Sequence, residues 1–374
     1  MAFQIVQINP ADRKQVNLFL SFPKLIYAHN QYWVPPLLIE VKRVFAQQKF
    51  SFYEHGAAAF FMALDRHTPL GRLAVIDNQA YNAFNHEQTA FFYYFESIDD
   101  KTVATGLFEA GFHWARSRGL ERMVGPKGFS VLDGMGLLVK GFELRPAFGI
   151  PYNPPYYQAL LEAAGFDRLS DMVSGYLASD VTLPEKVNRL ADLVKEKRGF
   201  WVQDLFTRAD LKKALISLRQ IYNDALEGTE GNMPLSNSDM ASMAQGLLWI
   251  ADPRLIKLIY KGNEPAGFLL AYPDISAALQ RNKGRLFPFG WLDILLERHR
   301  TDWVNINGAG IVAKYRRMGA TAILFTEMHK SITSGKYKHA DIVQIGTENE
   351  QMQLELSQLG IDFYKMHRIY QQDL

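Results

Sequence analysis

Apolar and polar positions along the chain change period in a regular order, and that order predicts its elements. Phe3 to Ile8 alternates as a half-buried strand does, and the segment beyond Pro10, carrying Val16, Leu20, Leu25 and Ile26, has helical spacing interrupted at Pro23. Ala57 to Leu64 and Gly71 to Ile76 are apolar runs parted by Asp65-Arg66-His67-Thr68-Pro69, which predicts a hairpin; the aromatic run Thr89 to Phe95 predicts the next strand. From Lys101 the spacing of Val103, Leu107, Ala110 and Trp114 becomes that of an amphipathic helix, closed by Gly119. A short strand at Arg122 to Gly125, a helix from Asn153 to Gly165 and a strand at Asp171 to Leu177 complete one α/β unit.

The order then starts again. A charged helix, Glu185 to Arg198, leads to a strand at Phe200 to Asp204, helices at Ala209 to Leu226 and Ser238 to Ile250, and a hairpin from Leu255 to Ala271 turning at Gly262-Asn263. A strand at Trp303 to Val312, a helix at Gly319 to Ser334, a strand at Ala340 to Ile345 and a helix at Asn349 to Leu359 follow. Gly71 and Gly267 hold like places in their hairpins, and Asn153 and Asn349 each open an expected helix that ends at a glycine. The expectation is an α/β (α+β) fold made of two similar halves, each a mixed, partly splayed sheet flanked by helices. Residues 1–180 would form one domain, 181–198 a linker helix and 199–374 the second domain, since single cores stop growing at about 250–300 residues.

Composition narrows the chemistry. The chain has 374 residues, 48% of them apolar, with 41 Lys+Arg against 39 Asp+Glu, which excludes disorder and gives no electrostatic footprint for nucleic acid. The absence of cysteine removes disulfides, thiolate metal sites and a cysteine nucleophile. The nine histidines form no HExxH and no close pair at ligand spacing, so no metal is expected, and there is neither a G-x-S-x-G elbow nor a P-loop. The N-terminus lacks a secretory pattern, and the longest apolar run, Ala57 to Leu64, falls short of the roughly 20 residues of a spanning helix, so the expectation is a cytoplasmic protein with no transmembrane segment.

The stretch Ile311-Val312-Ala313-Lys314-Tyr315-Arg316-Arg317-Met318-Gly319-Ala320-Thr321 lies between an expected strand and an expected helix. A helix start presents unpaired N–H groups and about half a unit of positive charge, a glycine permits close backbone approach, and arginines add bidentate anion recognition. Such a segment suits a diphosphate. Gly308-Ala309-Gly310-Ile311-Val312-Ala313 also satisfies G-x-G-x-x-A, yet only 61 residues follow Ala313, too few for the βαβ units of a dinucleotide fold. Gly308 and Gly310 instead favour a bulge that splays the strand from its neighbour.

Strand, R-x-x-G-x, helix, strand, then N-x-x-M and a glycine at the helix end: this succession resembles the acyl-CoA site of the GNAT superfamily of N-acyltransferases. The resemblance covers the whole chain. The signature Q/R-x-x-G-x-G/A is met at Arg316 and Gly319, with Thr321 in place of the last small residue. The segments Trp33-Val34-Pro35-Pro36-Leu37 and Tyr152-Asn153-Pro154-Pro155-Tyr156-Tyr157 are similar to a tandem-domain bacterial branch of mostly unassigned substrate.

The resemblance implies acetyl-CoA or a longer acyl-CoA as co-substrate. Backbone donors of Gly310, Ile311 and Val312 would meet the thioester, while Arg316, Arg317, Met318, Gly319, Ala320 and Thr321 would hold the diphosphate. Asn349 would lie beside the CoA channel, with an N-cap as its other role. The first half reads Phe95-Glu96-Ser97-Ile98-Asp99-Asp100-Lys101 at the equivalent point, without a cradle and with Asp99 or Asp100 able to cap the helix itself. CoA is therefore assigned to the second half, and the first is a degenerate copy with an acceptor-pocket role.

The implied activity is acyl transfer to a primary amine of a small-molecule or lipid-like acceptor. The family's acid tyrosine is missing, since its spacing from Asn349 lands on Leu356. Asn307, Glu348 and Tyr364 are candidates by proximity, and structural roles for them stay open. Trp33, Tyr152, Asn153 and Tyr156 are candidate pocket walls for an amphipathic acceptor, a placement that core packing would explain equally. Fem-type aminoacyl transfer and non-catalytic CoA or lipid binding are the competing functions.

Overall fold

A computed structural model describes residues 3–130, 133–226, 233–241, 250–333 and 335–374. The first half supplies β1 (Gln4–Gln7), β2 (Gly56–Asp65), β3 (Thr68–Asn78), β4 (Thr89–Ser97), β5 (Arg122–Gly125), β6 (Leu137–Lys140) and β7 (Asp167–Ala178). The second supplies β8 (Phe200–Asp204), β9 (Lys257–Lys261), β10 (Glu264–Pro273), β11 (Trp303–Ile311), β12 (His339–Gly346) and β13 (Asp362–Asp373). All join one sheet in the order β1-β2-β3-β4-β5-β13-β7-β12-β11-β10-β9-β8, with β6 beside β13.

The expected hairpins form where the turn residues demand. Arg66 and Gly262 take the positive φ of the two tips, at 56° and 58°. Within each half the pairs β4–β5 and β11–β12 are parallel and the rest antiparallel. The closing strands are exchanged: β13 lies between β5 and β7, and β7 lies between β13 and β12. Its long register with β7, from Asp362↔Tyr176 to Gln371↔Asp167, locks the chain's last strand into the sheet of the first half.

Two faces of the sheet carry apolar cores. The Lys101–Ser117 helix packs Val103, Leu107 and Phe108 on the first half, and the Arg208–Leu226 and Ala320–Thr333 helices cover the second with Ile221, Ile323 and Met328. The Glu185–Arg198 helix, found over its expected span, buries Ala191 and Val194 against the Ala320–Thr333 helix.

Some expectations are corrected. The helix expected to open at Asn153 begins at Tyr157, because Pro154 and Pro155 precede it and Asn153 turns its side chain onto β6 instead. The helix expected at 238–250 lies largely outside the described residues. Strands β6 and β13 and the helices Ser276–Asn282 and Gly290–Arg300 were not expected at all. Among the described residues no helix is long and apolar enough to cross a membrane.

Candidate functional site

β11 and β12 run side by side only from Trp303↔His339 to Ile306↔Ile342, whereas β10 and β11 stay paired as far as Gly267↔Ile311. Beyond Ile306 no described strand pairs with that edge of β11. The register shifts between Leu270 and Ala271, which leaves Asn307 as the extra residue of a bulge beside the two glycines of that strand.

The pairing fixes which backbone donors face the opening. The N–H of Val312 is given to the Ala266 carbonyl at 2.9 Å, and antiparallel alternation then directs Gly310 toward β10 as well. Ala309 and Ile311 present their N–H groups to the open edge. Of the three donors expected to meet a thioester, only Ile311 turns its N–H to that edge, alongside Ala309, while the N–H groups of Gly310 and Val312 face β10. Gly310 has a packing role, since an added Cβ would lie 3.0 Å from both Ala225 and the Phe268 ring.

After a 3-10 turn at Ala313–Tyr315, the loop leads into the Ala320–Thr333 helix. Among the described residues, the N–H groups of Arg317, Met318, Gly319, Ala320 and Thr321 meet no acceptor. Gly319 has φ +81°, and its missing Cβ makes room for Val194 of the Glu185–Arg198 helix. Arg198 closes the same contact by donating to the Met318 carbonyl at 2.8 Å. The two arginines divide. Arg316 donates to the carbonyls of Ile311 at 3.1 Å and Ala225 at 2.7 Å, so two of its nitrogens shape the loop. Arg317, exposed and with φ +60°, has no such commitment among the described residues. This donor-rich, basic turn fits a diphosphate.

At the closed foot of the opening lies a buried polar group. Asp274 accepts from Asn305 at 3.1 Å, from the Ser276 hydroxyl at 2.6 Å and from Arg145 of the first half at 2.9 Å. Asp341, opposite Asn305 across the parallel pair, holds Lys365 of β13 at 2.6 Å, with both side chains no more than 3% exposed. Among the described residues, three buried oxygens here make no hydrogen bond: Oδ1 of Asp341, Oδ1 of Asn307 and the hydroxyl of Tyr364. Burial and the Asp341 carboxylate push the Tyr364 hydroxyl far above its ordinary range, so it stays protonated. Sequence reasoning reached Asn307 and Tyr364 and missed Asp341 and Lys365. The available signal was an acid inside an otherwise apolar strand, Ala340-Asp341-Ile342-Val343.

Other candidates hold structural positions. Asn349 caps the Glu350–Gln358 helix by accepting from Met352 N–H at 3.2 Å, Glu348 is exposed, and Leu356 is in the core. Asn153 is buried, bonding both backbone groups of Leu138 at 2.7 and 3.1 Å. Trp33 stacks on Tyr27 with centroids 4.6 Å apart, and Tyr152 donates to the Phe142 carbonyl at 2.8 Å.

The first half repeats the splay, with β4 and β5 paired only from Thr89↔Arg122 to Phe91↔Val124 and Gly71 opposite Ser97 as Gly267 is opposite Ile311. Here the opening is filled by the protein itself. The Ser97 N–H donates to the Tyr157 hydroxyl at 3.0 Å, Tyr156 donates to the Ser97 carbonyl at 2.8 Å, and Asp100 accepts from Thr102 N–H at 2.8 Å as the helix cap.

No family model matches the chain. Protein YghO of Escherichia coli (strain K12) is 25% identical over 370 residues, covering 97% of this chain and 94% of that protein. Bacterial ceramide synthase of Caulobacter vibrioides is 26% identical over 375 residues, covering 98% and 96%. Among solved structures, a tandem GNAT protein from the clavulanic acid biosynthesis pathway superposes over 100% of this chain and 98% of its own, with TM-score 0.57 and 10% identity. A GCN5-related N-acetyltransferase from Sphaerobacter thermophilus covers 99% and 95%, with TM-score 0.50 and 13% identity. The chain has the fold of the tandem GNAT proteins.

Proposed function

We propose that the protein transfers an acyl group from acyl-CoA to the primary amine of a lipid-like acceptor, with CoA held by the second half alone. The observation that carries this reading is the open edge of β11, with the N–H groups of Ala309 and Ile311, beside the unaccepted donors of residues 317–321. A long-chain amine is supported by the relative named bacterial ceramide synthase, since ceramides are N-acylated long-chain amino alcohols, and its match runs nearly the full length of both chains. Acyl-CoA is a cytoplasmic metabolite, and the reaction belongs there.

Bound acyl-CoA supplies an activated acyl group. Arg317 and the 317–321 amides hold its diphosphate, while Ala309 and Ile311 N–H groups receive the negative charge that develops on the carbonyl oxygen. The acceptor amine is seated by the three partnerless oxygens of Asn307, Asp341 and Tyr364, a set that matches the donors of an ammonium group. Asp341 takes one proton from that ammonium, the neutral nitrogen then attacks the thioester carbon, the C–S bond breaks, and the second proton leaving the nitrogen passes to the thiolate. The Tyr364 hydroxyl, held protonated, is a donor for the departing thiolate.

Calorimetric titration of acetyl-CoA and palmitoyl-CoA into the wild type and into Arg317→Ala/Gly319→Asp tests the cradle, and product chromatography with short and long primary amines tests the acceptor. Saturable binding lost in the variant, with N-acylation of the long amine, is expected. Absence of binding by either thioester would overturn the reading.

A further inference from the structure

The helical hairpin inserted after Asp274 turns an apolar surface outward. Phe287 and Phe289 at its tip are 75% and 73% exposed, and Trp291, Leu292 and Leu296 continue the surface along the Gly290–Arg300 helix. Leu292 and Leu296 are one helical turn apart and so share a face. Single exposed apolar residues are ordinary, but a contiguous group with two aromatics at a tip is not.

The hairpin is firmly seated, so the exposure is built in. Its inner side packs Leu279, Leu286 and Ile294 against Leu37 and Ile275. Gly284 meets the first half so closely that a Cβ would lie 2.2 Å from the Pro36 carbonyl, and its own carbonyl accepts from Leu38 N–H at 2.9 Å.

Positive charge gathers beside the tip of the patch. Both carboxylates of the hairpin, Asp293 and Glu297, are held by Arg281. Lys283 and Arg285, and Lys24 of the first half, take no carboxylate among the described residues. The three crowd one another: the Lys24 ammonium is held below its ordinary range by burial first, then by the charges of Arg285 and Lys283. Leu25, next along the chain, is 61% exposed.

We propose that this patch docks on the surface of a bilayer containing anionic phospholipid, the aromatic tip entering the headgroup region while Lys24, Lys283 and Arg285 meet the headgroups. The patch belongs to the insertion that starts one residue beyond Asp274, so docking brings the polar foot of the β11 opening to the phase in which a lipid-like amine resides. That consequence rests on the proposed acyl transfer; docking itself does not.

Flotation with phosphatidylcholine vesicles, and with vesicles of phosphatidylcholine and phosphatidylglycerol in equal parts, tests the proposal. The wild type should float with the anionic vesicles, and less in high salt. Phe287→Ser/Phe289→Ser should weaken this by about tenfold or more, and Lys283→Glu/Arg285→Glu should abolish the preference for phosphatidylglycerol. Acyl-CoA titration should be unchanged in both variants, which separates failure of docking from failure of the acyltransferase reading. If the aromatic variant does not fold, the emission of Trp291, isolated by difference with Trp291→Phe, carries the test: a blue shift on adding anionic vesicles supports docking, and no shift overturns it. A wild type that ignores every vesicle, an aromatic variant that floats like the wild type, or a stable dimer dissolved by the aromatic substitutions without vesicle binding would also overturn it.

Discussion

At Gly319 two requirements coincide, a φ of +81° and a Cβ position 2.7 Å from Val194. Gly119 shares the first requirement, at φ +75°, and has nothing near its absent Cβ. Gly119→Ala should therefore cost about 1 kcal/mol of backbone strain, while Gly319→Ala should cost about 2–3 kcal/mol and weaken acyl-CoA binding, as read by denaturant midpoints and calorimetry. Asp341 and Lys365 form a pair whose rupture leaves a buried charge. Asp341→Ala should lose about 3–5 kcal/mol of stability. Asp341→Asn, closer in shape, should bind acyl-CoA normally and turn over slowly; full turnover in that variant would remove Asp341 as proton acceptor.

His367 makes a residue-scale prediction about pH. It is fully buried, donates from Nε2 to the Pro151 carbonyl at 3.0 Å, and burial lowers its pKa from 6.5 to about 4. Between these values the unfolded chain binds a proton that the folded chain refuses, so this residue makes stability fall as pH drops from about 6.5 to about 4. His367→Gln should flatten that part of the stability profile, measured by urea unfolding at successive pH values. An unchanged slope would show that other groups set it.

At the scale of elements, strands and helices with clean alternation were legible: β2, β3, β9 and β10 and the Glu185–Arg198 helix follow their apolar spacing. β13 was not, because Lys365 and His367 occupy buried positions where alternation calls for apolar side chains. Such positions are affordable only with the partners that β12 and the 145–151 segment supply from far along the chain. The bulge near Gly308 and Gly310 was readable, yet the facing of each N–H was not, since one extra residue at Asn307 sets the parity of everything after it. The exchange of β7 and β13 predicts that residues 1–198 and 199–374, made separately, give far-UV dichroism of incompletely folded chains, while co-expression restores the native spectrum. A cooperative melt of either piece alone would contradict this.

Across the whole molecule the two halves share a plan and differ in what fills the splay. Tyr156 and Tyr157 satisfy Ser97 in the first half, and nothing described takes the N–H groups of Ala309 and Ile311 in the second. Calorimetry should therefore give one acyl-CoA per chain, and two would show that the tyrosines yield.

The sheet also imposes a schedule on synthesis. The strand that completes the first half, β13, leaves the ribosome after every other strand of this sheet. Until then β5 and β7 stand apart with open edges, sites at which a nascent chain invites wrong pairing. The first half, though translated earlier, must wait for Asp362–Asp373 before it can close.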